Sequence, residues 1–312
     1  MPTTPIDTTV VPEYFGRFPV KLHSEEPKIA RGSAAALKKF QCFAKDSRSH
    51  SVGPYGDAYA ICYPDGDVER VQLSAEIIEA LWMYDDVIEA LPHDVASKEH
   101  GMVKQLLGHT HTNGKGLAEG AMTNVFRDVG ARMTVLDPKG APYVLGTLKQ
   151  YLTEYDGSSR TFDTLEEYLS FRTLNVGFRI MASFMQWTLN VYLTSDETEL
   201  CSAFYTAAGR VMAITNDYFS WRMEKREATD RVRNAIPVVM KQYAMSESDA
   251  TLFVKGVLVD AEQKTARLGK ALKGSSENIR RYVEGMEYLL GGSGFWSATC
   301  PRYNDVPSPA TM

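Results

Sequence analysis

Apolar residues recur at helical spacing through most of the chain. Between Val71 and Leu91, the residues Leu73, Ile77, Ile78, Leu81, Trp82 and Met83 fall close to an i, i+4, i+5, i+8 pattern, which predicts a helix that Pro92 ends. A second helix is predicted from about Thr164 to Leu193, opened by Thr164 and Glu167 at capping-box spacing. A third runs from about Thr194 to Glu227, opened by the same device in Thr194 and Glu197. A fourth follows Ser246 to about Lys273. A fifth spans Ser276 to Leu290, where Gly291-Gly292-Ser293-Gly294 predicts a stop. Helical periodicity sets in only after the first forty or so residues. Pro54-Tyr55-Gly56 and Tyr63-Pro64-Asp65-Gly66 read as turns without convincing strands beside them, and the polar stretch from Pro92 to Gly120 reads as a long loop. With no repeat and no internal linker, the pattern predicts one all-α domain over residues 1–303, with 304–312 as a tail or the start of a linker.

Charge and composition narrow the function classes. A net charge of -5 gives no basic footprint for nucleic acid. No stretch approaches a membrane span, and the first thirty residues lack the basic start and apolar run of a signal peptide. Cys42, Cys62, Cys201 and Cys300 are far apart and form no C-x-x-C pair, so neither zinc nor a disulfide framework is suggested. The expectation is a soluble cytoplasmic protein with reduced thiols. His109 and His111 have ligand spacing but sit in a Gly/Thr/Asn stretch without a third ligand, which reads as a solvated loop. The glycine cluster at 291–294 has neither a preceding strand nor a following Lys-Ser/Thr, so it is no phosphate loop.

Two acidic clusters carry the candidate chemistry. Asp85 and Glu89 are four residues apart near the end of an apolar helix and share a face, with Asp86 beside them. Carboxylates so placed suit Mg2+, which binds one or two protein carboxylates together with waters and substrate phosphates. An isolated cluster of this kind is also what a solvated acidic helix end looks like. Carboxylates at a helix C-terminus oppose the macrodipole, which a nearby cation would relieve. Asn216, Ser220 and Glu224 are more specific. Their i, i+4, i+8 spacing lines an amide oxygen, a hydroxyl and a carboxylate along one helical stripe, all hard donors for Mg2+, amid Val211, Met212, Ile214, Phe219 and Trp221.

Asp-Asp-x-x-Glu followed by Asn-Asp-x-x-Ser-x-x-x-Glu resembles the paired metal motifs of class I terpene cyclases. Arg172, in Phe171-Arg172-Thr173-Leu174-Asn175-Val176-Gly177, looks like that family's diphosphate-sensing arginine, followed by a helix break whose carbonyl from Val176 or Gly177 faces the substrate cation. Arg302-Tyr303 matches its diphosphate-binding pair. The wording of these motifs and of Trp296 to Asn304 is similar to the N-terminal cyclase domain of fungal chimeric di- and sesterterpene synthases, which carry a prenyltransferase domain after a linker.

The resemblance implies an all-α class I terpenoid synthase barrel with a central cavity. It implies three Mg2+ ions held by Asp85, Asp86, Glu89, Asn216, Ser220 and Glu224, and diphosphate contacts from Arg172, Arg302 and Tyr303. The substrate implied is a linear prenyl diphosphate, geranylgeranyl diphosphate first and the C25 homologue second. A homodimer is left open, and so is a non-catalytic helical binding domain. Ile78, Trp82, Tyr168, Val176, Met212 and Trp296 are candidate pocket walls, a role for which ordinary helix core is the competing reading. Many relatives have a basic residue where this chain has Met223. Arg222 and Lys225 point elsewhere around the helix, so that diphosphate contact is unassigned.

Overall fold

A computed structural model of the chain describes residues 3–42, 48–89, 117–154, 161–226 and 233–304. It is all-α, apart from a short antiparallel pairing of β1 (Thr4–Pro5) with β2 (Lys21–Leu22). The helices are α1 (Glu26–Gln41), α2 (Ala58–Cys62), α3 (Val68–Glu89), α4 (Leu117–Leu136), α5 (Ala141–Glu154) and α6 (Leu165–Asn175). They continue with α7 (Phe178–Leu189), α8 (Ser195–Glu224), α9 (Ala235–Tyr243), α10 (Glu247–Leu272) and α11 (Glu277–Thr299). Among the described residues, no helix is long and apolar enough to cross a membrane. The His109 and His111 reading, and most of the predicted loop, lie outside the described residues; residues 117–120 open α4.

The capping chemistry works as the sequence predicts. Thr164 accepts from Glu167 N and Thr194 from Glu197 N, and in both cases the glutamate side chain bonds back to the cap. The helices then pack through buried large side chains, with Tyr84, Phe184, Trp187 and Phe204 fully enclosed. Polar groups lock α3 in place as well. Buried Glu76 accepts from Lys39 Nζ of α1 at 2.8 Å and from Arg132 Nη2 of α4 at 2.7 Å, so neither carboxylate oxygen is stranded.

Three expectations are corrected. The helix predicted over Thr164 to Leu193 is two helices, α6 and α7, parted at Val176-Gly177. Gly177 has φ +76°, a left-handed conformation that glycine adopts without cost, and a Cβ there would stand 2.5 Å from Trp82 Cη2. The break is therefore packed directly on α3.

The helix predicted to stop at Leu290 continues through the glycines to Thr299. A Cβ at Gly291 would lie 2.3 Å from the Pro19 carbonyl oxygen, and one at Gly292 would lie 2.6 Å from that of Ile61. These glycines serve close backbone approach and not termination, which is why they do not break the helix. Finally, α1 lies within the first forty residues, where periodicity alone predicts nothing; Ile29, Ala36 and Phe40 form its buried stripe against α3.

Candidate active site

The second acidic cluster occupies the last turns of α8, and its charges are organised from within. Asp217 is fully buried. Its Oδ1 accepts from Arg172 Nε at 2.9 Å, while its Oδ2 accepts from the Tyr168 hydroxyl at 2.6 Å and Ala235 N at 2.8 Å. Burial lifts the Asp217 carboxyl to about 6, against the charge of Arg172 and these donors, which favour the ionised form. Burial opposes the charge on Arg172 too, but Asp217 outweighs it and holds the guanidinium well above its ordinary range. Asp217 thus acts as a fixed anchor for Arg172. The other two nitrogens reach Asn175 Oδ1 at 2.7 Å and Asn216 Oδ1 at 2.6 Å.

Along the neighbouring stripe, Asn216 Nδ2 donates to the Tyr303 hydroxyl at 3.1 Å, and Glu224 Oε2 accepts from Asn234 Nδ2 at 3.0 Å. Burial pushes the Tyr303 phenol up to about 12, so it keeps its proton. Between Asn216 and Glu224, Ser220 Oγ is buried and has no hydrogen-bond partner among the described residues. An enclosed, unpaired hydroxyl costs about 1–3 kcal/mol and calls for a ligand. Flanked on its stripe by an amide oxygen and a carboxylate, it completes an all-oxygen donor set of the kind hard divalent cations take.

The first cluster ends α3. Asp85 is half-buried. Asp86 is more exposed and is gripped by donors from distant parts of the chain: Arg302 Nη2 meets Oδ1 at 2.7 Å, and His50 Nε2 lies 2.7 Å from Oδ2. Partial burial raises the Asp86 carboxyl, but hydrogen bonds from His50 and Arg302 outweigh it and bring it to about 2. Glu89 falls within α3, and its side chain is outside the described ones. Arg302 and Tyr303 occupy the turn after α11, so one dipeptide touches both clusters, Arg302 at Asp86 and Tyr303 at Asn216.

The candidate walls separate into groups. Ile78 and Met212 are buried, and Trp82 lies over Gly177 at the helix break. Val176 is half-buried at that break, its N–H donating to Arg172 O; the Gly177 carbonyl accepts the first α7 bond, from Met181 N. Tyr168 belongs to the support behind Arg172 through its bond to Asp217. Trp296 donates to Ser51 O at 3.2 Å, and its ring meets that of Tyr303 edge-on with centroids 5.6 Å apart. Near Met223, Lys225 is paired with Glu247 of α10 at 2.6 Å, and Arg222 is exposed.

Sequence reasoning missed three contributors: Asp217 as anchor, Asn234 as the partner of Glu224, and His50 at Asp86. Asn234 had a legible signal, standing before Ala235-Ile236-Pro237 as an N-cap, and its Oδ1 does accept from Ile236 N. His50 had none.

Residues 76–264 match the family described as terpene synthase family 2, C-terminal metal binding. The chain belongs to that family. Its match spans both acidic clusters and Arg172 and ends before Arg302-Tyr303. Among curated relatives of this terpene synthase, ophiobolin F synthase of Cochliobolus heterostrophus is 27% identical over 273 residues, covering 81% of this chain and 35% of that protein. A sesterterpene synthase of Colletotrichum orbiculare is 23% identical over 309 residues, covering 93% and 43% respectively. The chain thus spans less than half the length of these fungal terpene synthases. The fold is shared with 2-methylisoborneol synthase of Streptomyces coelicolor, solved with Mg2+ and 2-fluoroneryl diphosphate. The TM-score is 0.72 at 16% identity, over 94% of this chain and 98% of that one.

Proposed function

We propose that this terpene synthase ionises and cyclises a linear prenyl diphosphate with the help of Mg2+, releasing diphosphate. The observation that carries the reading is the buried, partnerless Ser220 hydroxyl in line with Asn216 and Glu224, beside the anchored Arg172. Asn216, Ser220 and Glu224 would hold Mg2+ on one side; Asp85, with Asp86 and Glu89 in support, would do so on the other. Bound there, the metal supplies Lewis-acid stabilisation of the leaving group. Arg172, Arg302 and Tyr303 offer N–H and O–H donors to the diphosphate oxygens as they gain charge, and no protein nucleophile is needed. Because Asp217 fixes Arg172 through two elements, little reorganisation accompanies that charge development. Trp82, packed on Gly177 at the α6–α7 break, would supply an aromatic wall for a carbocation.

Geranylgeranyl diphosphate is the first choice of substrate, giving a polycyclic diterpene. The sesterterpene synthase relative favours, as a second reading, the C25 diphosphate. The relatives are more than twice as long as the aligned part, which supports residues 1–303 acting as the cyclase unit of a longer protein; the motif resemblance would make its partner domain a prenyltransferase. Incubating the protein with Mg2+ and the C15, C20 or C25 diphosphate, then analysing extracts for hydrocarbons, tests this. A cyclic product from one substrate is expected. Intact substrate in all three incubations would refute the proposal.

A further inference from the structure

Ser49-His50-Ser51 carries no motif, yet it is bonded to α3, to α11 and to the turn after it. Glu79 lies two helical turns before Asp86 and is fully buried. Its Oε1 accepts from Ser49 Oγ at 2.6 Å and from His50 N at 2.8 Å, and its Oε2 accepts from the Tyr59 hydroxyl at 3.3 Å. A buried carboxylate with these donors is a fixed point, because moving any of them away strands charge in an apolar interior. It fastens the backbone of residue 50 to α3. Trp296 Nε1 fastens the next residue to α11 by donating to Ser51 O.

So held, the buried His50 ring presents Nε2 to Asp86 Oδ2 at 2.7 Å, with Arg302 Nη1 3.2 Å from the same nitrogen. An ionised carboxylate can only accept, so the 2.7 Å contact places the proton on Nε2, which donates to Asp86 Oδ2; Arg302 Nη1, itself only a donor, then lies beside Nε2 without bonding to it and reaches Asp86 Oδ2 at 3.3 Å. His50 and Arg302 are then two donors converging on one carboxylate. The Asp86 side chain is 44% exposed and that of Arg302 27%. Arg302 meets both Asp86 oxygens, at 2.7 and 3.3 Å, but a pair this exposed is screened by water. His50, 8% exposed, is the rigid member of the trio.

We propose that His50 is a positioning residue: fastened by Glu79, its Nε2–H fixes the rotamer of Asp86 and so seats Arg302, with its neighbour Tyr303, where a diphosphate is to be gripped. The inference rests on the diphosphate reading given above but is tested apart from turnover. Its place in the chain is 36 residues before Asp86 and 252 before Arg302, and neither spacing is periodic.

The test is calorimetric binding of inorganic pyrophosphate to the whole chain in saturating Mg2+, with KM and kcat measured in parallel on whichever prenyl diphosphate is turned over. His50→Phe, which keeps bulk and loses the donor, is expected to weaken pyrophosphate binding about tenfold, as befits a hydrogen bond to a charged group. KM should rise more than kcat falls. His50→Gln, which restores an N–H donor, is expected to bind within about threefold of the parent. In an Asp86→Ala background, which leaves no acceptor, His50→Phe should change little further, since its effect runs through the Asp86 side chain. Parental affinity in His50→Phe overturns the proposal, as does equal weakness in His50→Gln, or an undiminished effect in the Asp86→Ala background. Pyrophosphate binding without turnover of any prenyl diphosphate would defeat the cyclase reading alone and leave this test standing.

Discussion

Ser220 is the residue at which stability and function part company. Its hydroxyl is enclosed and unpaired, so in the metal-free protein it is a cost and not a contact. Ser220→Ala is therefore expected to leave the melting temperature of the Mg2+-free protein unchanged, or to raise it by a few degrees, as about 1 kcal/mol of desolvation is relieved. The same substitution is expected to lower turnover at least tenfold and to raise the Mg2+ concentration needed for half-maximal rate. Thermal melts and a Mg2+ titration check the two halves separately; full activity in Ser220→Ala would remove Ser220 from the metal site. By contrast, Asp217 is engaged on both oxygens, and its loss would release Arg172 as well as the start of α9.

At the scale of elements, α11 reverses an ordinary expectation about glycine. Replacing a helical glycine with alanine normally stabilises by about 1 kcal/mol. At Gly292 the new methyl would face backbone atoms of α2, Ile61 O at 2.6 Å and Ile61 C at 2.8 Å, which cannot rotate aside. Gly292→Ala is expected to destabilise by about 1–3 kcal/mol, read from a denaturant melt; a gain in stability would show that α2 yields. The same glycines explain a misreading of the sequence, since composition cannot tell a terminator from a close-packing position. Elements with local signals were legible: Thr164 and Thr194 announced their helices, and Asn216, Ser220 and Glu224 announced a stripe through spacing alone. The α6–α7 break was legible only through resemblance, because what reserves position 177 for glycine includes Trp82, far away in sequence, which leaves no room for a Cβ there. His50 and Glu79 stayed hidden for the same reason: their meaning lies in contacts that only the fold creates.

At the scale of the whole molecule, two buried carboxyls apart from the acidic clusters make stability depend on pH in one direction. Burial pushes Glu262 of α10 up to about 7, with the Arg17 N–H as its partner at 3.2 Å, and pushes Asp57 to about 7 as well. Between their ordinary values of 4.5 and 3.8 and about 7, the folded chain holds protons that the unfolded chain has released. Stability from these groups is therefore full below that window and is lost as pH rises through it. Asp86, brought down to about 2, acts oppositely, and only in acid below about 4. Glu262→Gln is expected to flatten the stability profile between pH 5 and 8 and to gain on the order of 2 kcal/mol over the parent at pH 8. Denaturant melts across that range check it; parallel profiles for the two proteins would count against the assignment.

The hydrogen bond between Arg172 and Asn216 makes two binding events into one negotiation. The guanidinium, its charge partly offset by Asp217, donates to Asn216 Oδ1 at 2.6 Å, the oxygen a cation would approach. An anion drawn to Arg172 offsets that charge, and a cation at Asn216 in turn frees Arg172 from its neutral partner. The two affinities are coupled through a single contact, and by thermodynamic reciprocity each ligand must tighten the other by the same factor. On the function proposed above, diphosphate without metal, and metal without diphosphate, would each be a poorer ligand than either in the presence of the other.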